Sequence, residues 1–270
     1  MGGPKADCPP GQEVSEDGEV EVSSEGDLQR VWREVQAEAL ADPELRAWCS
    51  RKTVARFLRA DGGDVKKASK RLRETLKWRK QARPNQRCCN RCFGADMRAH
   101  HMFQCGWTTG GRPLLYSDIG LARDKTPAGN QEHCMQAMEL LERTLPPFPR
   151  DKYVWLCDFH GFEYRDCDPR MAVKVLGLFG AHYPERMGTM VFVEAPRMFD
   201  ALYSVCAKVA DPKTVRKLRF AKGPTGKGGG PPLDSVLADI VDEETRRWVL
   251  AEMAANRSEY ARRKRAGKVK

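Results

Sequence analysis

The chain has 270 residues, enough for one large α/β domain with a small helical attachment and a sizeable hydrophobic core. Its formal charge is +10, and because residues 1–27 hold eight acids against one lysine, the remainder is more basic still, which favours an anionic partner such as an acidic membrane surface or nucleic acid. No apolar run approaches the length of a membrane span, so any membrane contact is expected to be peripheral; ten scattered cysteines behind a start without a secretory segment fit a reducing, cytoplasmic compartment.

Residues 1–27 are rich in acids, Pro, Gly and Ser and have the composition of a disordered tail. A helical subdomain is expected over residues 28–82. Val31, Trp32, Val35, Ala39 and Leu40 mark a first helix, Leu45 and Trp48 a second, and Val54, Phe57 and Leu58 a short basic third. After the Gly62-Gly63 turn, Asp64 is the candidate N-cap of a helix running to about Lys80.

Residues 83–257 form the expected main domain. Its first part, 83–107, reads as a loop containing Cys88, Cys89, Cys92, His100, His101 and Cys105. Cys89-x-x-Cys92 has metal-ligand spacing, and His100 with Cys105 could complete a tetrahedral zinc set. The pattern lacks a second Cys-x-x-Cys or a His-x-x-x-His, so reduced cysteines in a loop and no cofactor are the expectation.

Gly110-Gly111-Arg112-Pro113 is a turn into a strand at Leu114–Tyr116, a long helix follows from about Asn130 to Leu145, and Tyr153–Cys157 is the next strand. Asp168-Pro169 opens a helix, with Asp as N-cap and Pro at the first helical position. Thr189–Ala195, between Gly188 and Pro196, suits a buried strand, and Met198, Phe199, Leu202, Tyr203, Cys206 and Val209 then share one helical face. Strands alternating with helices of this length imply a mostly parallel sheet with helical cover. A glycine-rich stretch, Gly223–Pro232, reads as a flexible loop before two terminal helices, and residues 258–270 as a basic, unfolded tail.

Several ordered motifs carry a resemblance. They are Thr53–Ala60 with Trp78-Arg79, Gly111–Leu114 with Tyr116, Cys157-Asp158 with Gly161, Tyr183–Gly188, Ala195-Pro196, and Asp211–Lys217. Together they closely resemble the CRAL-TRIO lipid-binding family over roughly residues 50–223, phosphatidylinositol-transfer-protein-like members included, with the family's N-terminal helical subdomain. The resemblance implies a hydrophobic lipid pocket closed by a gate helix at 197–209. It lines that cavity with Tyr116, Tyr153, Trp155, Met198, Phe199, Leu202, Tyr203 and Cys206, and gives Glu185, Thr214 and Lys217 to an inositol phospholipid headgroup. A lysine meets a phosphodiester as a point charge, and a carboxylate accepts from ring hydroxyls. A salt bridge between Glu185 and Lys217 is the plainer account of the same pair.

Two departures qualify what the family implies. Asp61 stands where the family often has an arginine, and Tyr153 and Trp155 stand where members that bind phosphatidylcholine carry small hydroxyl residues. Enzyme signatures are missing: Gly226-Lys227 lacks the Ser or Thr and the leading Gly of a phosphate loop, and there is no Gly-x-Ser-x-Gly elbow. The basic tail lacks the interleaved aromatics of a base-stacking surface, so nucleic acid is not expected. The expectation is a monomeric, non-enzymatic lipid-binding and transfer protein that meets anionic membranes transiently. A lipid-sensing or scaffold module with a filled pocket is the alternative.

Overall fold

The computed structural model describes residues 24–94, 96, 98–166, 168–196 and 215–267. These described residues fall into two compact units, one within residues 24–83 and 146–151, the other within 84–145 and 152–267.

The first unit is helical: α1 Glu25–Leu40, α2 Pro43–Trp48, α3 Arg51–Ala60 and α4 Val65–Ala82. Each begins at a residue whose side-chain oxygen accepts a backbone N–H of the first turn, namely Ser24, Asp42, Ser50 and Asp64. Apolar residues at helical spacing close one core, with Val31, Val35, Phe57, Leu58, Leu72 and Leu76 wholly buried. Buried arginines are met by rings and acids. The Arg79 guanidinium lies 4.2 Å from the Trp48 ring centre, and Arg59 lies 4.5 Å from that of Phe148 while pairing with Asp151 at 3.0 Å. Asp61, the departure noted above, pairs with Arg71 at 3.2 Å within this unit.

Among the described residues the second unit has five strands in the order β1 Met102–Trp107, β2 Pro113–Asp118, β3 Tyr153–Asp158, β4 Met187–Val193 and β5 Leu218–Ala221. The first pair is antiparallel and the others are parallel. Its described helices are α5 Asn90–Gly94, α6 Pro127–Thr144, α7 Pro169–His182, α8 Leu233–Ala238 and α9 Glu243–Arg265. This is the mostly parallel α/β sheet with a helical N-terminal region that the chain pattern implies. Sheet alternation divides the side chains between two faces. Leu114, Tyr116, Val154, Leu156, Val191 and Val193 pack with Leu233, Val236, Leu237, Val249 and Met253 of α8 and α9. On the other face Trp155 meets Phe179 of α7 edge-on, and Phe192 contacts Phe159 and Phe220 at ring-centre distances of 5.7 and 5.3 Å. Met190, Phe192, Leu218 and Phe220 are only half-buried there.

Three expectations are corrected. The stretch 83–107 is not all loop, since it holds α5 and β1. The edge strand escaped notice because β1 is half-buried and interrupted by an irregularity at Gly106, which blurs the two-residue period. The basic tail is helical to Arg265: Glu259 pairs with Arg262 and Arg263, and the Tyr260 hydroxyl donates to the Gly161 carbonyl oxygen, so the last turns are anchored to the domain. The glycine-rich loop is held by backbone bonds, Gly223 N–H to the Lys227 oxygen and Lys222 N–H to the Pro231 oxygen.

Candidate functional site

Because β3, β4 and β5 are parallel, the residues just before each of them gather at one edge of the sheet. These residues are Lys152, Glu185 in the turn after α7, and Lys217. Lys152 Nζ lies 3.3 Å and Lys217 Nζ 3.8 Å from the same carboxylate oxygen, Glu185 Oε2. Lys152 is fully buried, and an ammonium survives there only with anionic company. The flanking motif explains the placement. The Tyr183 hydroxyl donates to Glu139 at 2.6 Å, and Arg186 forks onto Glu142 at 2.6 and 2.8 Å, tying both to α6. Glu185, between them, takes a left-handed backbone conformation with φ 59° and so turns toward the lysines.

The opposite edge is different. Arg257 of α9 donates to Asp158 and to Glu194, each at 2.8 Å, and His160 Nδ1 lies 3.2 Å from the second Glu194 oxygen. Burial works against the Glu194 charge, but the His160 and Arg257 contacts prevail and hold its pKa below the ordinary value. Asp118, buried and beside the Asp158 charge, is pushed up to about 7. Its Oδ1 accepts the Leu121 N–H. Every acid here is engaged by an internal donor, so this edge reads as a clamp on α9.

A third cluster lies beside the sheet. Cys89, Cys92, His100 and His133 bring one ligating atom each to within 4.8 Å of one another. The expected fourth member was Cys105. That residue instead sits at the β1 irregularity and packs against the α8–α9 core, with its thiol 3.5 Å from the Leu114 carbonyl oxygen. His133, on α6, occupies the place assigned to it.

Of the cavity residues, Tyr153 and Trp155 share the face that meets α7, but both are packed in: Tyr153 is 1% exposed, and the Trp155 indole N–H donates to Ser117 Oγ at 2.9 Å. Tyr116 is not with them. It points to the α9 face, where its hydroxyl donates to Asp158 at 3.2 Å and accepts from Asn256 at 3.0 Å. One strand places alternate residues on opposite faces, and nothing in the sequence says which set meets the pocket. Met198, Phe199, Leu202, Tyr203, Cys206, Thr214 and the proposed gate 197–209 lie outside the described residues.

Sequence reasoning missed Lys152 and His133. Lys152 stands in the charged run Arg150-Asp151-Lys152 before a buried strand, a hint that one of the three is drawn inward. His133 is far in sequence from the cysteines and carried no signal.

With this geometry in hand, the comparisons converge. The CRAL/TRIO domain family matches residues 97–227, a stretch that spans β1 to β5 and over which this chain is therefore similar to that family. Among similar proteins are "Protein real-time" of Aedes aegypti, 25% identical over 64% of this chain and 29% of its own length, and "Phosphatidylinositol transfer protein CSR1" of Eremothecium gossypii, 26% identical over 62% of this chain and 41% of its own. The chain therefore spans less than half the length of either relative. The crystal structure of Sfh5 superposes with a TM-score of 0.55 at 14% identity, covering 87% of this chain and 99% of Sfh5, which shows the shared fold. Among the described residues no helix is long and apolar enough to cross a membrane.

Proposed function

We propose that the chain holds one phospholipid, phosphatidylinositol before others, and carries it between membranes. The acyl chains lie against the half-buried face of Met190, Phe192, Leu218 and Phe220. Lys217 meets the phosphodiester, and Glu185 accepts from ring hydroxyls. The observation that carries this reading is the convergence of two lysines and a carboxylate at the strand ends bordering that face. Acyl burial at about 0.8 kcal/mol per CH₂ supplies most of the affinity, and the charged trio selects the headgroup. The basic surface holds the protein at an anionic membrane during exchange.

The test is native mass spectrometry of the purified chain with lipid extraction, comparing wild type with Lys217→Ala. A phosphatidylinositol bound to wild type and lost from the variant supports the assignment. A different lipid retained by both overturns the headgroup role.

One observation favours a second reading, a scaffold or sensor module whose pocket is filled by its own side chains. Tyr153 and Trp155 are packed as core residues on the pocket-facing side of the sheet. A chain that is purified empty and takes up no lipid from vesicles establishes that reading and removes the first.

A further inference from the structure

We propose that Cys89, Cys92, His100 and His133 hold one zinc ion in a closed, structural, tetrahedral site. The inference is independent of the lipid reading.

The distances are those of a coordination shell. His100 Nδ1 lies 3.5 Å from both sulfurs, and His133 Nδ1 lies 3.4 Å from Cys92 Sγ. With Zn–S of about 2.3 Å and Zn–N of about 2.0–2.1 Å, a tetrahedron has S···N edges of about 3.6 Å. Direct thiol–imidazole hydrogen bonds account for the cluster less well. His100 Nδ1 has one lone pair or one proton, yet two sulfurs face it at equal distance. A single ion at the centre satisfies all three contacts together.

The surroundings orient the ligands. His133 Nε2 is 3.2 Å from the Met102 carbonyl oxygen, an acceptor, which places the ring proton on Nε2 and leaves the Nδ1 lone pair facing the sulfurs. His100 Nε2 faces Asp124 Oδ2 at 3.6 Å, and that carboxylate is fixed by the Thr126 N–H and hydroxyl at 2.9 and 2.7 Å. His133 thus has the outer oxygen partner that metal-bound histidines have, and His100 faces a fixed carboxylate just beyond hydrogen-bond distance. Main-chain N–H groups of Ala99 and His100 point at the Cys92 sulfur. Cys89 N–H donates to Gln136 of α6 at 2.6 Å, holding the Cys-x-x-Cys turn against the helix that carries His133.

The site also has a task. Among the described residues the buried apolar cluster around it consists of Cys89, Cys92 and Ala99, too little to fix the α5 segment by packing. Two thiolates neutralise Zn²⁺, so the burial of Cys89, Cys92 and His100 costs no net charge. Four protein ligands with mixed thiolate and imidazole donors match zinc and leave no open position for catalysis.

The full-length protein, purified under reducing conditions without a metal-affinity step, is assayed for bound metal by mass spectrometry and by visible spectroscopy after Co²⁺ exchange. The expected result is one zinc per chain, tetrahedral Co²⁺ bands, and a fall to near zero in Cys92→Ser and His133→Ala, with full occupancy in Cys88→Ser and Cys105→Ser. If the alanine and serine variants fail to fold, His133→Cys supplies the readout. It keeps four ligands, and the thiolate-to-cobalt charge-transfer intensity should rise by about half, as three sulfurs replace two. Three results overturn the proposal: no metal in wild type refolded with zinc, full occupancy in Cys92→Ser or His133→Ala, or a Cys89–Cys92 disulfide in the folded protein. An unchanged charge-transfer band in His133→Cys does so as well.

Discussion

The two edges of the parallel strands use charge in opposite ways. At the C-terminal edge Arg257 grips Asp158 and Glu194 at 2.8 Å, each acid has an internal donor, and the result is a lock on α9. At the N-terminal edge the contacts are longer, 3.3 and 3.8 Å, and two ammonium groups share one carboxylate oxygen. Short, forked bonds fix structure, whereas longer ones from the point charges of lysines can be rearranged by an arriving anion. The difference separates a part of the fold that is built to stay from a part that is suited to exchange partners.

Removing the lock should have the largest effect. Arg257→Ala leaves the fully buried Asp158 without a counter-charge and the nearly buried Glu194 with His160 alone of its two partners here, and should cost about 3–5 kcal/mol in denaturant unfolding. A loss below about 1 kcal/mol would erase the distinction between the edges. At the other edge, Lys217→Ala should weaken binding of an inositol phospholipid by about 10- to 100-fold in vesicle titration, the worth of one hydrogen bond to a charged group, while unfolding stability changes far less. A variant that loses stability and keeps its lipid would make both edges structural.

A third substitution probes how the lock is seated. Gly161 has φ 76°, and a Cβ there would lie 2.3 Å from the Tyr260 ring. Gly161→Ala should therefore cost about 1–3 kcal/mol, and Tyr260→Ala in the same chain should relieve part of that loss, leaving only the backbone penalty. Purely additive losses would show that the ring and the glycine do not meet.

The smallest effect is a change of slope. Asp118 has a folded-state pKa raised to about 7, above its unfolded value near 4, by burial and by the Asp158 charge. The folded state then binds more protons between those values. Its contribution to stability is full below about pH 4 and is lost as pH rises toward about 7. Asp118→Asn should flatten that decline, so that the variant gains on wild type as pH increases. Parallel stability-versus-pH curves for the two proteins would refute the raised pKa.

The helices of the first unit and the strands β2 to β4 were legible because their signals are local. Caps such as Asp64 and Asp168 mark starts, Pro and Gly mark stops, and the apolar runs have the right lengths. The motif around Glu185 was equally legible as a motif. Its mechanics were not, since Tyr183 and Arg186 act through Glu139 and Glu142 on a helix some 44 residues earlier. The terminal helix was read too short because a run of arginines looks solvated. Only contacts from Glu259 and Tyr260 show that its last turns are held.

The sequence by itself thus determined the class of fold, the likeness to the CRAL/TRIO domain and the identity of one charged pair, all of which rest on short-range pattern and ordered motifs. Tertiary structure decided which residues stand together. It sent Tyr116 to the α9 face, drew Lys152 to Glu185, and put His133 where Cys105 had been expected. The physical reason is the same in each case. A strand's period fixes which residues share a face and a helix's period fixes which share a side, but what that face meets depends on chain crossings that bring distant residues within a few ångströms.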